Sequence, residues 1–152
     1  MIKPSMRLCF AFVLLIFSLS VKASNFPYEN FAFELIKKGS EEKSKAISSQ
    51  GYSRCLGAVQ SALYFGLIPE KFEKNIQEAW KGLIYLAGMN KVTSDDLSRS
   101  EVLALINEAK LEGESYFYVY EKWIVDNKET VSLDLSNPLG IEVKKCIEYG
   151  EF

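Results

Sequence analysis

The sequence predicts an all-α fold, a compact bundle of about five helices stabilised by one disulfide bond. Along most of the chain, apolar residues recur at intervals of three and four, which is the spacing of one face of a helix. Glycines and prolines fall where most of these periodic segments begin or end. Only residues 130–136 alternate in the manner of a strand, and a single strand would have no partner.

The first helix is predicted at residues 27–38, with Gly39 as the expected C-terminal glycine. Residues 41–50 form a polar and weakly helical stretch, and Gly51 then precedes the second helix. The buried face of that helix is predicted from five residues spaced by three and four, namely Tyr52, Cys55, Leu56, Val59 and Leu63.

The third helix is predicted to have Pro69 at its first position, where the missing N–H of proline costs nothing, and to end at Gly88. Its apolar face is predicted to comprise Phe72, Ile76, Ala79, Trp80, Leu83 and Ala87. Ser98 and Glu101 then have the spacing of a capping box. The helical pattern that follows extends to about Asn127, either as one long helix or as two helices broken near Gly113.

The last helix is predicted to begin at Asn137 and Pro138, with four residues facing inward: Leu139, Val143, Cys146 and Ile147. Together these segments give one helical domain at residues 24–152, preceded by a segment of a different kind.

Residues 1–23 have the layout of a secretory signal peptide: Lys3 and Arg7, then an apolar core, then a cleavage site near Ala23. A membrane anchor is the alternative, but the uncharged stretch at residues 8–21 is shorter than the roughly 20 residues that cross a bilayer. Cleavage removes three of the 18 basic residues and none of the 20 acidic ones, so the net charge changes from −2 to −5. An acidic domain with interleaved lysines and glutamates predicts no nucleic-acid partner.

The two cysteines that remain after cleavage, Cys55 and Cys146, are predicted to form a disulfide in an oxidising compartment. The closed loop would contain about 90 residues and stabilise the fold by roughly 4 to 5 kcal/mol in the chain-entropy model. A reactive thiol is the alternative, because Arg54 and Lys145 are adjacent to the cysteines in sequence and a nearby cation lowers the pKa of a thiol.

The chain contains no histidine, which excludes Ser–His and Cys–His catalytic pairs. Two cysteines are too few for a zinc site, and the sequence predicts no metal, no cofactor and no catalytic residue. An enzyme that uses two carboxylates stays open as an alternative, although the acidic pairs at residues 41–42 and 95–96 are interpreted as solvated surface charge.

Two segments are candidates for binding another protein. The polar loop between the third and fourth helices contributes Asn90, Lys91, Thr93, Asp95 and Asp96. The second segment is rich in aromatic residues, most of which are interpreted as core. Tyr118 points away from the face that its neighbours share and is the sixth candidate, since tyrosine is enriched at protein interfaces.

The residues around the two cysteines, 54–58 and 143–149, resemble the cysteine-bearing helices of the periplasmic immunity proteins that protect bacteria from type VI secreted peptidoglycan amidases. Lys145, Cys146, Ile147 and Glu148 are similar to the C-terminal motif of that family, with Tyr149 one place early. The match covers about a dozen residues, together with length, order of elements and export.

This resemblance implies a homodimeric, non-enzymatic inhibitor in the periplasm that inserts a helix or loop into the active-site cleft of a cysteine–histidine amidase. Only the two cysteines and their neighbours are carried over from the family. A general periplasmic binding or chaperone-like helical protein is the alternative. Neither interpretation requires a membrane after signal cleavage.

Overall fold

Five α-helices and no strand make up the part of the chain that the computed structural model describes, residues 26–134 and 137–151. The helices are α1 (Ala32–Glu41), α2 (Lys45–Tyr64), α3 (Glu70–Met89), α4 (Arg99–Asp126) and α5 (Pro138–Gly150). The predicted all-α class is confirmed. The predicted signal peptide at residues 1–23 lies outside the described residues.

The starts of α4 and α5 are set by local capping, as the sequence predicts. The Ser98 N–H donates to the Glu101 carboxylate at 2.7 Å, and the Ser98 hydroxyl accepts from the Glu101 N–H at 3.4 Å. The Asn137 side chain accepts from the Leu139 N–H at 3.0 Å. The Glu101 and Leu139 N–H groups belong to the first turns of their helices, where they have no backbone acceptor within the helix, and the Ser98 N–H completes the capping box of α4.

The predicted boundaries of the first two helices are wrong, because two glycines lie inside helices. Helix α1 begins at Ala32 and continues through Gly39, and α2 begins at Lys45 and continues through Gly51. A Cβ at Gly39 would lie 2.5 Å from the Ser48 nitrogen, and a Cβ at Gly51 would lie 2.8 Å from the Ile36 nitrogen. Both glycines therefore mark the close approach of α1 to α2 rather than the end of a helix.

The segment Ser98–Asn127 forms one helix with its caps, since α4 continues through Gly113. A Cβ at Gly113 would lie 2.8 Å from the Leu56 side chain, so this glycine also serves a helix contact. The strand-like segment is not a strand where it is described, because residues 130–134 form turns and bends. Pro69 occupies the N-cap of α3 rather than its first helical position.

Helix α2 lies at the centre of the bundle and contacts each of the other four helices. Its buried face includes Leu56 and Val59, which pack with Leu83 of α3, Tyr120 of α4 and Leu139 of α5. One predicted core residue is misplaced: the Phe72 side chain is 46% exposed and lines a groove between α3 and α5. Within the described ranges, no helix is long and apolar enough to cross a membrane.

The Cys55–Cys146 disulfide joins α2 to α5 and confirms the predicted pairing. Both side chains are fully buried. The bond links residues 91 positions apart, so it closes most of the helical part of the chain into one loop.

Candidate functional site

A polar groove of about 460 Å³ opens beside the connection between α3 and α4. We call it the loop groove. It is lined by the first turns of α2, by the loop after α3 and by one side of α4, with Gln50, Glu108 and Tyr116 among its walls. The groove therefore brings the start of α2 together with the loop after α3 and with α4, which come much later in the chain.

Lys91 ties the loop to α4 at the floor of the groove. Its ammonium group donates to the Glu112 carboxylate at 2.5 Å and to the Glu108 carboxylate at 3.2 Å, and its side chain is only 16% exposed. Burial acts to lower the pKa of Lys91, but the hydrogen bonds to Glu112 and Glu108 outweigh burial, so the pKa is raised. Lys91 therefore stays charged and acts as a fixed tie.

Glu112 is itself held by a second partner. Its other carboxylate oxygen accepts a hydrogen bond from the Ser53 hydroxyl at 3.1 Å. Ser53 is fully buried, so this contact joins α2 to α4 and does not present a hydroxyl to the groove. The pair therefore fixes the groove wall and does not form an accessible nucleophile.

The loop itself is anchored at several points along its backbone. The Lys45 ammonium group donates to the Val92 carbonyl at 2.8 Å, and the Asn90 side chain donates to the Leu86 carbonyl at 2.8 Å. At its far end the capping box of Ser98 fixes the entry into α4. Between these anchors, residues 93–96 are exposed. The loop thus presents polar side chains from a constrained backbone.

The six predicted partner-binding residues occupy two different surfaces. Asn90, Lys91 and Thr93 line the loop groove. Asp95 and Asp96 do not line it but lie next to it on the exposed part of the same loop. Tyr118 lies within α4, about 28 Å along the helix axis from the first residue of the helix, because each residue adds about 1.5 Å.

Tyr118 belongs to an aromatic surface on α2 and α4. Its side chain is 65% exposed, and its ring lies 5.4 Å from that of Phe117. The Phe117 ring in turn lies 5.5 Å from that of Tyr64, which is 70% exposed. The other aromatic residues of the segment point inward, with Tyr120 fully buried and Trp123 8% exposed, as their helical spacing predicts.

A buried polar cluster that the sequence analysis missed lies beside the disulfide. The Glu142 carboxylate is fully buried and accepts hydrogen bonds from the Tyr120 hydroxyl at 2.5 Å and from an Arg54 Nη2 at 3.2 Å. It also accepts from the Ala32 N–H at 2.8 and 3.0 Å. Arg54 is 5% exposed and donates to the Asn30 carbonyl as well. One carboxylate thus joins α1, α2, α4 and α5.

The environment of this cluster shifts several pKa values in one direction. Burial raises the pKa of Glu142, although the Tyr120 hydrogen bond and the charge of Arg54 oppose the shift. Burial also raises the pKa of Tyr28 to about 12 and that of Tyr120 well above 10. Both tyrosines are therefore neutral throughout the physiological range.

The helical spacing of α5 indicates that Glu142 is buried. Glu142 falls between Leu139, Val143 and Cys146 on the inward side of α5, so a carboxylate there must find partners in the core. The reactive thiol, which the position of Arg54 next to Cys55 left open as the alternative to a disulfide, is not what the structure contains. Arg54 pairs with Glu142, and Cys55 is in a disulfide.

No known protein family, curated protein or solved structure matches this chain. No group of three or more metal-ligating side chains occurs in the described part of the chain. The loop groove presents hydrogen-bond donors, hydrogen-bond acceptors and charges in fixed positions at the surface. Such an arrangement is suited to recognising another protein.

Proposed function

We propose that this protein is a periplasmic immunity protein that binds a type VI secreted peptidoglycan amidase and blocks its active site. The observation that carries this proposal is the anchored loop, whose backbone is held by Lys45, Lys91 and Ser98 while Asp95 and Asp96 are exposed between the anchors. An inhibitor of this kind needs a rigid and complementary surface, because a loop that is ordered before binding loses little entropy in the complex.

The exposed carboxylates suit the proposed target. An amidase that uses cysteine and histidine has an imidazole N–H in its cleft, and a carboxylate can accept a hydrogen bond from it. We propose that Asp95 and Asp96 enter that cleft while Asn90 and Thr93 contact its rim. The aromatic surface around Tyr118 is proposed as a second contact, because exposed tyrosines are frequent interface hot spots.

The location and assembly of the protein are part of the same proposal. Residues 1–23 act as the signal peptide, and cleavage near Ala23 releases the helical domain into the periplasm. A homodimer, implied by the resemblance in residues 54–58 and 143–149, is proposed for the exported form.

The direct experiment is co-purification with an amidase encoded by a neighbouring gene, followed by a muramyl-peptide cleavage assay. We expect the purified protein to form a complex and abolish cleavage, and the Asp95→Asn/Asp96→Asn variant to weaken inhibition at least about tenfold. The matched control is Glu41→Gln/Glu42→Gln, which neutralises two adjacent exposed carboxylates at the end of α1 and should inhibit like the wild type. Absence of a complex together with undiminished cleavage would contradict the proposal for that amidase.

A general periplasmic binding or chaperone-like role is the second candidate. It is favoured by apolar side chains on the outward side of α4 that are 41–65% exposed, namely Leu103, Leu111, Tyr118, Val119 and Val125. Exposed apolar surface of this kind can hold unfolded segments. Light scattering of an aggregating client protein separates the two roles: Leu111→Ser/Val125→Ser should weaken protection of the client but leave amidase inhibition unchanged.

A further inference from the structure

The walls of the loop groove carry hydrogen-bond acceptors that the described part of the chain does not use. Glu108 binds Lys91 through one carboxylate oxygen at 3.2 Å, and its other oxygen accepts from no described group. The Asn90 side chain donates through its nitrogen and leaves its oxygen free. The Tyr116 hydroxyl and the amide of the exposed Gln50 also have no hydrogen-bond partner among the described residues. Four residues around one cavity of about 460 Å³ thus offer a free acceptor.

The charges at the groove favour a cationic ligand. Lys91 is held between Glu108 and Glu112, and Glu112 uses both of its oxygens within the chain. Glu108 therefore provides the free carboxylate oxygen of the groove, and its side chain is 57% exposed. Lys45 also lines the groove, and residues 95–96 add two carboxylates beside it. Two lysines against four carboxylates give this surface a net charge of −2.

The remaining walls suit a cation with an apolar stem and a flat head group. Ala46 and Leu105 line the groove with apolar atoms, and the Tyr116 ring is half-buried beside them. A guanidinium group stacks on an aromatic ring while its methylene stem contacts apolar side chains. The cavity lies within the range of about 300 to 1,000 Å³ of pockets that hold small molecules, so a whole side chain can enter it.

We propose that the loop groove is a recognition pocket for an arginine side chain of the partner protein. A guanidinium group carries five N–H donors and no acceptor, which matches walls whose free groups accept hydrogen bonds. It donates to the Glu108 carboxylate and stacks on Tyr116, a combination that the compact ammonium group of lysine does not reproduce. This inference rests on the proposed function, because the arginine belongs to the rim of the amidase cleft that residues 95–96 enter.

A small probe tests the pocket without the amidase. N-acetyl-arginine amide is titrated into isotopically labelled protein, and we expect saturable NMR shift changes at the backbone amides of Gln50, Leu105 and Glu108. N-acetyl-citrulline amide has nearly the same shape but no charge and should bind at least about tenfold more weakly. N-acetyl-lysine amide has the same charge and should bind at least about threefold more weakly. Absence of a saturable shift with the arginine probe, or equal binding of the three probes, would overturn the pocket.

A single substitution tests the role of Glu108 with the same probe. Glu108→Gln keeps the shape of the side chain and removes its charge, and we expect binding of the arginine probe to weaken at least about tenfold. Glu114→Gln is the matched control, because it neutralises a glutamate of the same helix that does not line the groove, and it should bind the probe like the wild type. Both variants should fold, since the ion pair of Glu108 is exposed. Unchanged probe binding by Glu108→Gln would contradict the proposal.

The complex with the amidase identifies the arginine. Each exposed arginine at the rim of the amidase cleft is replaced by lysine, and we expect one replacement to weaken the complex with the wild type at least about tenfold but to have little effect with Glu108→Gln. Inhibition without any arginine coupled to Glu108 would contradict the pocket and leave the proposed function standing. Absence of a complex contradicts the proposed function, and the probe titration then still decides whether the groove binds arginine.

Discussion

Arg54 and Glu142 form an ion pair at 3.2 Å in which the arginine side chain is 5% exposed and the glutamate side chain is fully buried. The pair joins the two helices that the disulfide also joins. The two residues of the pair are not equivalent. A buried glutamate can take up a proton and become neutral, whereas an arginine stays charged at any pH at which proteins fold. This difference leads to the first prediction.

Removing Glu142 should be more destabilising than removing Arg54. We expect Glu142→Leu to cost about 3 to 5 kcal/mol because it leaves a buried guanidinium without a counter-charge. Arg54→Met should cost less, because Glu142 can bind a proton, and the double variant should cost least of the three. Urea denaturation followed by circular dichroism gives the three free energies of unfolding. A double variant that loses as much as the sum of the two single variants would contradict a coupled pair.

The free energy of unfolding should depend on pH through the protonation of Glu142. Because burial raises the pKa of this carboxyl group, the folded state holds its proton more tightly than the unfolded state does. The contribution of the group to stability is therefore complete below its unfolded pKa and is lost as the pH rises through the folded pKa.

We expect the wild type to lose free energy of unfolding relative to Arg54→Met/Glu142→Leu as the pH is raised from below the ordinary pKa of a glutamate carboxyl group through the raised pKa of Glu142. Urea denaturation of both proteins across this range is the measurement. If the wild type instead gains stability relative to the variant, the charge of Arg54 outweighs the burial of Glu142.

Two tyrosines of the buried cluster should respond differently to loss of their hydroxyl groups. The Tyr120 hydroxyl donates to Glu142, whereas the Tyr28 hydroxyl is buried and has no hydrogen-bond partner among the described residues. We expect Tyr120→Phe to cost about 1 to 3 kcal/mol and Tyr28→Phe to be close to neutral. Thermal denaturation of the two variants at the same pH makes the comparison, and equal losses would show that the Tyr28 hydroxyl has a partner.

Gly57 should resist substitution although it lies inside a helix. Helix propensity alone favours Gly57→Ala by about 1 kcal/mol. A Cβ at this position would, however, lie 2.6 Å from the Phe117 nitrogen and 2.7 Å from the Tyr116 carbonyl carbon, which are backbone atoms of α4. We therefore expect a loss of about 1 to 3 kcal/mol from overpacking.

The comparison for Gly57 is Gly66→Ala, where the backbone φ is +63° and no atom lies within 4 Å of the added Cβ. Only the left-handed backbone penalty, about 1 to 2 kcal/mol, applies there. Differential scanning calorimetry of both variants measures the losses. A higher melting temperature for Gly57→Ala would show that α4 moves away at little cost.

Much of the fold could be predicted because its determinants are local. The capping box of Ser98 and Glu101 fixes the start of α4 through atoms only three residues apart, and Asn137 caps α5 in the same way. The inward side of the aromatic segment followed from helical spacing alone. The glycines were misinterpreted for the opposite reason. Gly39 and Gly51 allow the neighbouring helix to approach closely, and the sequence of one segment does not show which helix lies beside it.

The candidate site was predicted in part. Asn90, Lys91 and Thr93 were identified because they form a polar stretch between helices, and such loops are exposed. The groove that they line was not predictable, since Lys91 finds Glu108 and Glu112 on α4 only after the bundle has formed. The Asp95→Asn/Asp96→Asn variant tests whether the exposed part of the loop contacts a partner, and the contact through Tyr118 stays a prediction.

The sequence by itself determined three features of this protein. The helical class follows from the periodicity of apolar residues, and the caps follow from side chains near the helix ends. The pairing of Cys55 with Cys146 follows from the presence of two cysteines after the predicted signal peptide. Only the tertiary structure decided how the Glu142 carboxylate is satisfied. Its partners come from three other helices, and the contact with the Ala32 N–H spans 110 residues. A buried charge can be placed only when the groups that compensate for its lost hydration are known, and those groups meet only in the folded chain.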